Sequence, residues 1–308
     1  MSDLEEKLST LAIERPAALT VGTFDGVHIG HRKLLGTLRD RAVDNRLISV
    51  AITFRSQPRA LIDQTSVVTY LSTTQHRINL IEETGVSHVL PVDFDEDLRR
   101  LSANDFLGML KRASRAEMLV LGLGARVGHD RLDADQLAPV ANQHGITLVE
   151  VDPERIDGRI VSSSAIRQSL TEGDVTYASR MLGRPYRLDG TVVPGDKRGR
   201  ELGFPTANIQ PADATAIPAN GIYATLIRVG GERRMAATSI GVRPTFGGGA
   251  RLVEAYILDF TGDLYGKEVE LEFVKRLRGE VKFDGVDPLI QQMNRDVSEA
   301  REILSGAV

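Results

Sequence analysis

Leu19-Thr20-Val21-Gly22-Thr23-Phe24-Asp25-Gly26-Val27-His28-Ile29-Gly30-His31 decides the fold of the first half of the chain. An apolar strand, a glycine-rich turn and a helix start follow one another directly. Gly22, Gly26 and Gly30 let backbone approach a ligand closely. The helix opening near Gly30 offers unpaired N–H groups and the positive end of its dipole. His28 and His31, three residues apart, straddle that end and are placed to donate hydrogen bonds to phosphate oxygens. Together these parts suit a nucleoside triphosphate whose pyrophosphate leaves. No Gly-Lys-Ser/Thr follows, which excludes a Walker A loop, and the glycine spacing does not fit the dinucleotide fingerprint. The plain alternative is a pair of structural histidines at a turn, but His-x-Gly-His is rare by chance in a chain with 6 histidines.

Outward from this stretch, short apolar runs alternate with amphipathic ones. Strands are expected at Ala17–Val21, Leu47–Thr53, His88–Val92, Glu117–Leu121 and Thr147–Val151. Leu34, Leu35, Leu38 and Ala42 mark one face of the first helix. Further helical patterns run Gln75–Thr84, Ala103–Ala113, Ala134–His144 and Ala165–Leu182. Such alternation predicts a parallel, doubly wound sheet. The pattern changes at Gly183-Arg184-Pro185, predicting domains at 1–182 and 183–308. Beyond it come β-rich runs at Arg187–Val193, Ile222–Val229, Arg233–Ile240, Leu252–Leu258 and Glu268–Phe273, fitting a small antiparallel barrel or sandwich. A closing helix is expected with Asp287 as its N-cap and Pro288 in its first turn.

The 308 residues favour two domains. A formal net charge of −4 gives no electrostatic reason to expect nucleic acid as a partner. With no cysteine, disulfides, thiolate metal sites and a cysteine nucleophile are excluded. The acidic start lacks an apolar run and Met118–Leu121 is far too short to span a bilayer, so no secretory leader, no membrane and a cytoplasmic location are expected.

Two further runs carry chemistry. Ser162-Ser163-Ser164-Ala165-Ile166-Arg167 sets three hydroxyls before a helix with Arg167 in its first turn, either plain capping or a second phosphate clamp. Gly195-Asp196-Lys197-Arg198-Gly199-Arg200-Glu201-Leu202-Gly203-Phe204-Pro205-Thr206-Ala207-Asn208 is basic and glycine-rich. Thr206 and Asn208, two apart, fall on one side of an extended segment and offer hard oxygen ligands suited to Mg²⁺ beside nucleotide phosphates. Glu254 is a single carboxylate in an apolar strand: a solvent-facing residue, or a general base on a rigid element.

The chain resembles the prokaryotic bifunctional riboflavin kinase/FMN adenylyltransferases, or FAD synthetases. The resemblance rests on Gly22–His31, Ser162–Arg167, Gly183–Tyr186, Gly203–Asn208, Gly221–Ala224, Ile240–Phe246, Val253-Glu254, Gly262–Lys267 and Lys282–Asp284, in that order. It implies a nucleotidyltransferase-type Rossmann domain followed by a riboflavin-kinase β-barrel with a C-terminal helix, acting on riboflavin, FMN and ATP with Mg²⁺. It implies that Gly22, Thr23, Phe24 and Gly30 line the ATP loop, and that His28 and His31 hold ATP phosphates. Ser163, Ser164 and Arg167 would form a second nucleotide clamp. Gly203, Thr206 and Asn208 would bind Mg-ATP, and Glu254 would be the kinase base. The chain departs from the family twice: Arg55-Ser56-Gln57 replaces Asp-Pro-His, and Gly124-Ala125 replaces a polar residue and Phe. Two other readings stand beside the bifunctional one: a riboflavin kinase whose first domain makes little FAD, and a flavin- or nucleotide-binding regulator without turnover.

Overall fold

Five apolar runs of the first half form one parallel sheet. The computed structural model describes residues 3–11, 15–56, 69–195, 199, 203–242 and 251–306. Its strands are β1 (Ala17–Gly22), β2 (Ile48–Phe54), β3 (His88–Val92), β4 (Met118–Gly122) and β5 (Thr147–Val151), in the order β3-β2-β1-β4-β5. β1 pairs in parallel with β2 from Ala17↔Ile48 to Gly22↔Thr53, and with β4 at Leu19↔Leu119. Strand order reverses between β1 and β4. In open α/β sheets the crevice at the carboxyl ends of such strands is where ligands bind.

Helices cover both faces: α1 (Asp3–Thr10), α2 (Ile29–Asp44), α3 (Thr74–Glu82), α4 (Glu96–Arg100), α5 (Ala103–Ser114) and α6 (Ala134–Gln143). Leu34, Leu35, Leu38 and Ala42 of α2 are buried, as their spacing predicts, with Ala18, Ala51 and Val120 from one face of the sheet. Leu19, Ile52 and Leu121 point to the other face, against Leu107 and Leu110 of α5. The sequence reading left out α1, whose Leu4 and Leu8 join that second core.

A two-strand hairpin, β6 (Arg155–Ile156) with β7 (Arg159–Ile160), precedes α7 (Ser163–Glu172) and α8 (Val175–Leu182). One helix was expected over Ala165–Leu182. Instead Gly173 takes a left-handed φ of 82°, which glycine adopts without a Cβ penalty, and Asp174 caps the next helix by accepting from Tyr177 N at 2.8 Å.

The second half forms a closed barrel of β8 (Tyr186–Val193), β9 (Thr206–Pro211), β10 (Gly221–Val229), β11 (Glu232–Val242), β12 (Arg251–Ile257) and β13 (Glu268–Arg278). Strand order is β10-β11-β12-β9-β8-β13, every pair antiparallel. Closure removes exposed edges. β9 was expected only as an extended loop segment. α9 (Val286–Leu304) lays Ala300 and Leu304 on Ala224, Leu226 and Ala237 of the outer wall. Its N-cap is Gly285, not Asp287. Gly285 supplies no side-chain bond, and Asp287 stands in the first turn, where a carboxylate suits the helix dipole. Asp296 of α9 is buried and accepts a two-pronged bond from Arg278 at 2.7–3.2 Å.

By contacts the chain gathers into two compact units: Met1–Val68 with Thr74–Val161, and Thr69–Thr73 with Ser162–Val308. α7 and α8 therefore go with the barrel. α8 buries Val175, Ala178, Met181 and Leu182 and packs on β8 and β13, while Ala219 N donates to Leu170 O at 2.8 Å. The 183–308 fragment suggested by the sequence pattern would expose that face. Burying one large apolar side chain is worth roughly 1.5–3 kcal/mol. A fragment of residues 162–308 should therefore unfold at a clearly higher temperature than 183–308 and keep more riboflavin phosphorylation. Equal melting midpoints by circular dichroism would contradict this.

Candidate active sites

The turn after β1 is strained and over-determined. Phe24 and Val27 hold positive φ values of 49° and 38°, uncommon for side chains of their size, beside Gly26 at 77°. A Cβ at Gly22 would meet the Phe24 ring at 3.2 Å, and one at Gly30 would meet the His28 ring at 3.2 Å. Both glycines are where the backbone needs close approach. α2 opens at Ile29, one residue before the expected Gly30, and His28 is its N-cap: Nδ1 accepts from His31 N at 3.2 Å. In a neutral imidazole, an accepting Nδ1 places the proton on Nε2. His28 and His31 stack at 3.6 Å, 15° from parallel, and Phe24 sits edge-on to His31 at 5.3 Å. His31 Nδ1 is buried without a hydrogen-bond partner. Burial, aided by the nearby His28 and Arg77, holds His31 well below the usual histidine pKa, so its ring is neutral.

Arg77 of α3 was not singled out from the sequence. It is 1% exposed and donates to Thr23 O at 2.7 Å, Arg55 O at 3.1 Å and Thr74 Oγ1 at 3.3 Å. Thr53 Oγ1 adds a second bond to Thr23 O at 3.1 Å.

A cavity of about 520 Å³ opens beside Gly22 and Thr23. Phe54, Phe94 and Phe106 give it an aromatic floor, and Arg99, Arg126, His129 and Arg131 line its polar side. Ala125, one of the two family departures, lines it too. Gly124 has a φ of 80° with open space where a Cβ would stand. Arg55 pairs with Asp93 at 3.1 Å and Arg126 with Asp133 at 2.8 Å, so each departure's arginine is matched by a carboxylate. Gln57 lies outside the described residues.

Ser163, Ser164 and Arg167 belong to the unit that contains the barrel, while the histidine pair belongs to the other. Ser162 is the α7 N-cap, accepting from Ala165 N at 3.2 Å; Ser163 and Ser164 are the first two helical residues. Arg167 stands one residue past the first turn, not within it, and its Nε donates to Thr69 O at 2.7 Å.

On the barrel, register assembles the second constellation. Glu254 lies directly opposite Asn208 of β9 and Ser239 of β11, and Tyr256 lies opposite Thr206. The flanking Val253 and Ala255 are buried, so Glu254, Asn208 and Thr206 share the other, half-buried face. A Cβ at Gly195 would run into the Asn208 side-chain amide, and Phe204 N donates to Gly199 O at 2.8 Å. Gly203 takes a φ of 85°, a conformation glycine adopts without the penalty a Cβ brings. Asp196, Lys197, Arg198 and Arg200 lie outside the described residues.

A cavity of about 610 Å³ meets Thr206, walled by Ala207, Ile257, Leu264 and the rings of Phe260 and Tyr265. Phe260 is an isolated aromatic in a Gly/Asp-rich turn, and only its approach to Thr206's cavity marks it. The segment entering β10 is clamped by side chains. Tyr186 OH donates to Ala216 O, Arg251 to Ile217 O and Pro218 O, Tyr223 OH to Ala219 O, and Arg276 to Asn220 O. Five successive carbonyls are thereby satisfied without secondary structure.

Comparison with known proteins gives consistent results. The FAD synthetase family model matches residues 10–165, and the riboflavin kinase model matches residues 182–304. The bifunctional riboflavin kinase/FMN adenylyltransferase of Pseudomonas fluorescens is 35% identical over 292 residues, covering 94% of this chain and 93% of that protein. The protein of the same description from Escherichia coli K12 is 33% identical over 294 residues, covering 94% of each. A crystal structure described as a macrolide-efflux protein from Streptococcus pneumoniae superposes with a TM-score of 0.87 at 30% identity, covering 95% of this chain and 97% of that one. Among the described residues of this chain, no helix is long and apolar enough to cross a membrane.

Proposed function

The chain belongs to the bifunctional riboflavin kinase/FMN adenylyltransferase family, and from that premise we propose a division of labour among its residues. It phosphorylates riboflavin to FMN and adenylylates FMN to FAD, with ATP as co-substrate in both steps. We assign the kinase to the barrel, within 183–308, and the adenylyltransferase to 1–182. The observation that carries the kinase assignment is register: Glu254 stands opposite Asn208 and two pairs along from Thr206, on the same face of a rigid sheet.

In the kinase step, the ribityl 5′-hydroxyl oxygen forms a bond to the γ-phosphorus of ATP and ADP leaves. The protonated hydroxyl is a poor nucleophile, and the Glu254 carboxylate takes its proton. Magnesium beside the nucleotide supplies neutralisation of phosphate charge. Thr206 Oγ1 and the Asn208 amide oxygen are hard donors on one side of β9 and would hold it. Gly203 lets the backbone turn toward the same phosphates.

In the adenylyl step, an FMN phosphate oxygen attacks the α-phosphorus of ATP and pyrophosphate leaves. That phosphate is already anionic near neutral pH, so no base is needed. Positioning and charge stabilisation carry the step. We give His28 Nε2–H, the neutral His31 ring and the N–H groups at the start of α2 to the ATP phosphates, with Gly22, Thr23, Phe24 and Gly30 shaping the loop. Ser163, Ser164 and Arg167, in the unit that contains the barrel, are proposed as a second nucleotide clamp. The small-molecule chemistry and the net charge of −4 support partners that are riboflavin, FMN and ATP rather than nucleic acid, and we place the enzyme in the cytoplasm.

The aromatic cavity beside Thr23 is assigned to the FMN ring. The missing polar side chain at Gly124 and the missing ring at Ala125 then weaken FMN binding without abolishing it. Each lost neutral hydrogen bond costs about 0.5–1.5 kcal/mol, or roughly 2–10-fold in binding. Asn tolerates a positive φ better than most residues, and the space at Gly124 is open. Gly124→Asn with Ala125→Phe should therefore lower the KM for FMN severalfold in steady-state FAD synthesis. An unchanged or higher KM would remove FMN from this cavity.

A further inference from the structure

A buried cation in the first unit remains outside the chemistry described so far. Arg77 of α3 sits under the carboxyl ends of two adjacent strands. One arm of its guanidinium reaches Thr23 O, the first residue past β1, and the other reaches Arg55 O, the first residue past β2. It thus ties together the residues that directly follow two neighbouring strands, at the carboxyl end of the sheet. The loop it holds is the strained one, with Phe24 and Val27 at positive φ, and such conformations persist only where surroundings enforce them. Burying a guanidinium is costly, and an apolar residue packs a helix against a sheet at less cost. A buried charge at this cost points to a purpose beyond packing.

We propose that Arg77 is a positioning residue for FMN adenylylation, its planar fork fixing the turn that carries His28 and His31 while its charge draws the triphosphate of ATP to that turn. The two functions are separable. Lysine keeps the charge but not the two-armed geometry, and glutamine loses the charge. The charge also lies close enough to help keep the His31 ring neutral, consistent with a cation set beside the phosphate-binding loop. The inference rests on the assignment of the histidine turn to adenylylation.

The test uses the full chain with Arg77→Lys, Arg77→Gln and His31→Ala, each assayed for FAD from FMN and for FMN from riboflavin. Arg77→Gln should raise the KM for ATP in FAD synthesis roughly 10–150-fold, the scale of one lost charged interaction, and lower kcat. Arg77→Lys should lower kcat about tenfold with the KM for ATP within twofold. Riboflavin phosphorylation should hold in both. A purely structural role would lower the two variants' rates in step with their melting temperatures and leave the KM for ATP unmoved, and that result overturns the proposal. If neither variant folds, Thr53→Val withdraws the other donor to Thr23 O. A severalfold lower kcat for FAD at constant KM for ATP supports the account, and an unchanged kcat overturns it. If His31→Ala makes FAD at the normal rate, the assignment of the turn fails; if it does not and Arg77→Gln does, only the role of Arg77 fails.

Discussion

Glu254→Gln should lower riboflavin phosphorylation by about 10²–10⁴-fold, the usual worth of a positioned general base. The substitution is nearly isosteric and lies on a half-buried barrel face between β9 and β11, so the register that brings Asn208 and Thr206 beside it should survive. Glutamine accepts a hydrogen bond from the ribityl hydroxyl but cannot take its proton. The loss should therefore fall on kcat, with the KM for riboflavin nearly unchanged. FAD synthesis from supplied FMN should proceed at the normal rate, because that step uses an anionic phosphate as nucleophile. Near-normal FMN production by the variant would exclude Glu254 as the base.

The mirror result is expected at the histidine turn. His31→Ala, and more mildly His28→Ala, should cut FAD formation from FMN while leaving FMN formation intact. Removing one preorganised donor to developing charge typically costs about 10²–10³-fold. His31→Ala removes a ring stacked on His28 and edge-on to Phe24, so it disturbs both the donor set and the shape of the turn. His28→Ala also deletes the α2 N-cap, which costs about 1 kcal/mol of stability. A melting curve read alongside the two assays separates these effects. A kinase loss as large as the adenylyl loss would mean that the variants unfold.

How much of this was legible in the chain differs from element to element. The β1–turn–α2 stretch was readable because its signals are local: an apolar run, glycines, and Leu34, Leu35, Leu38 and Ala42 at helical spacing. The five parallel strands and five of the barrel strands were readable for the same reason. β9 was not, because a glycine- and arginine-rich run precedes it and its outward Thr206 and Asn208 interrupt the apolar pattern. The break in the helix before the barrel was hidden because Gly173-Asp174 interrupts helical periodicity only briefly. The pairing of Glu254 with Asn208 depends on strand register across 46 residues of sequence, which no local pattern carries. Arg77 illustrates the same limit: its partners Thr23 and Arg55 lie 54 and 22 residues away, and nothing in its own helix marks it as buried.

The most direct test of two separate activities on one chain is chromatography of the products formed from riboflavin, ATP and Mg²⁺ by the purified protein. The account predicts that FMN appears first and is then converted to FAD. FMN alone at every ATP concentration would contradict it in favour of a kinase without adenylyltransferase, and neither product would contradict it in favour of a binding protein without turnover.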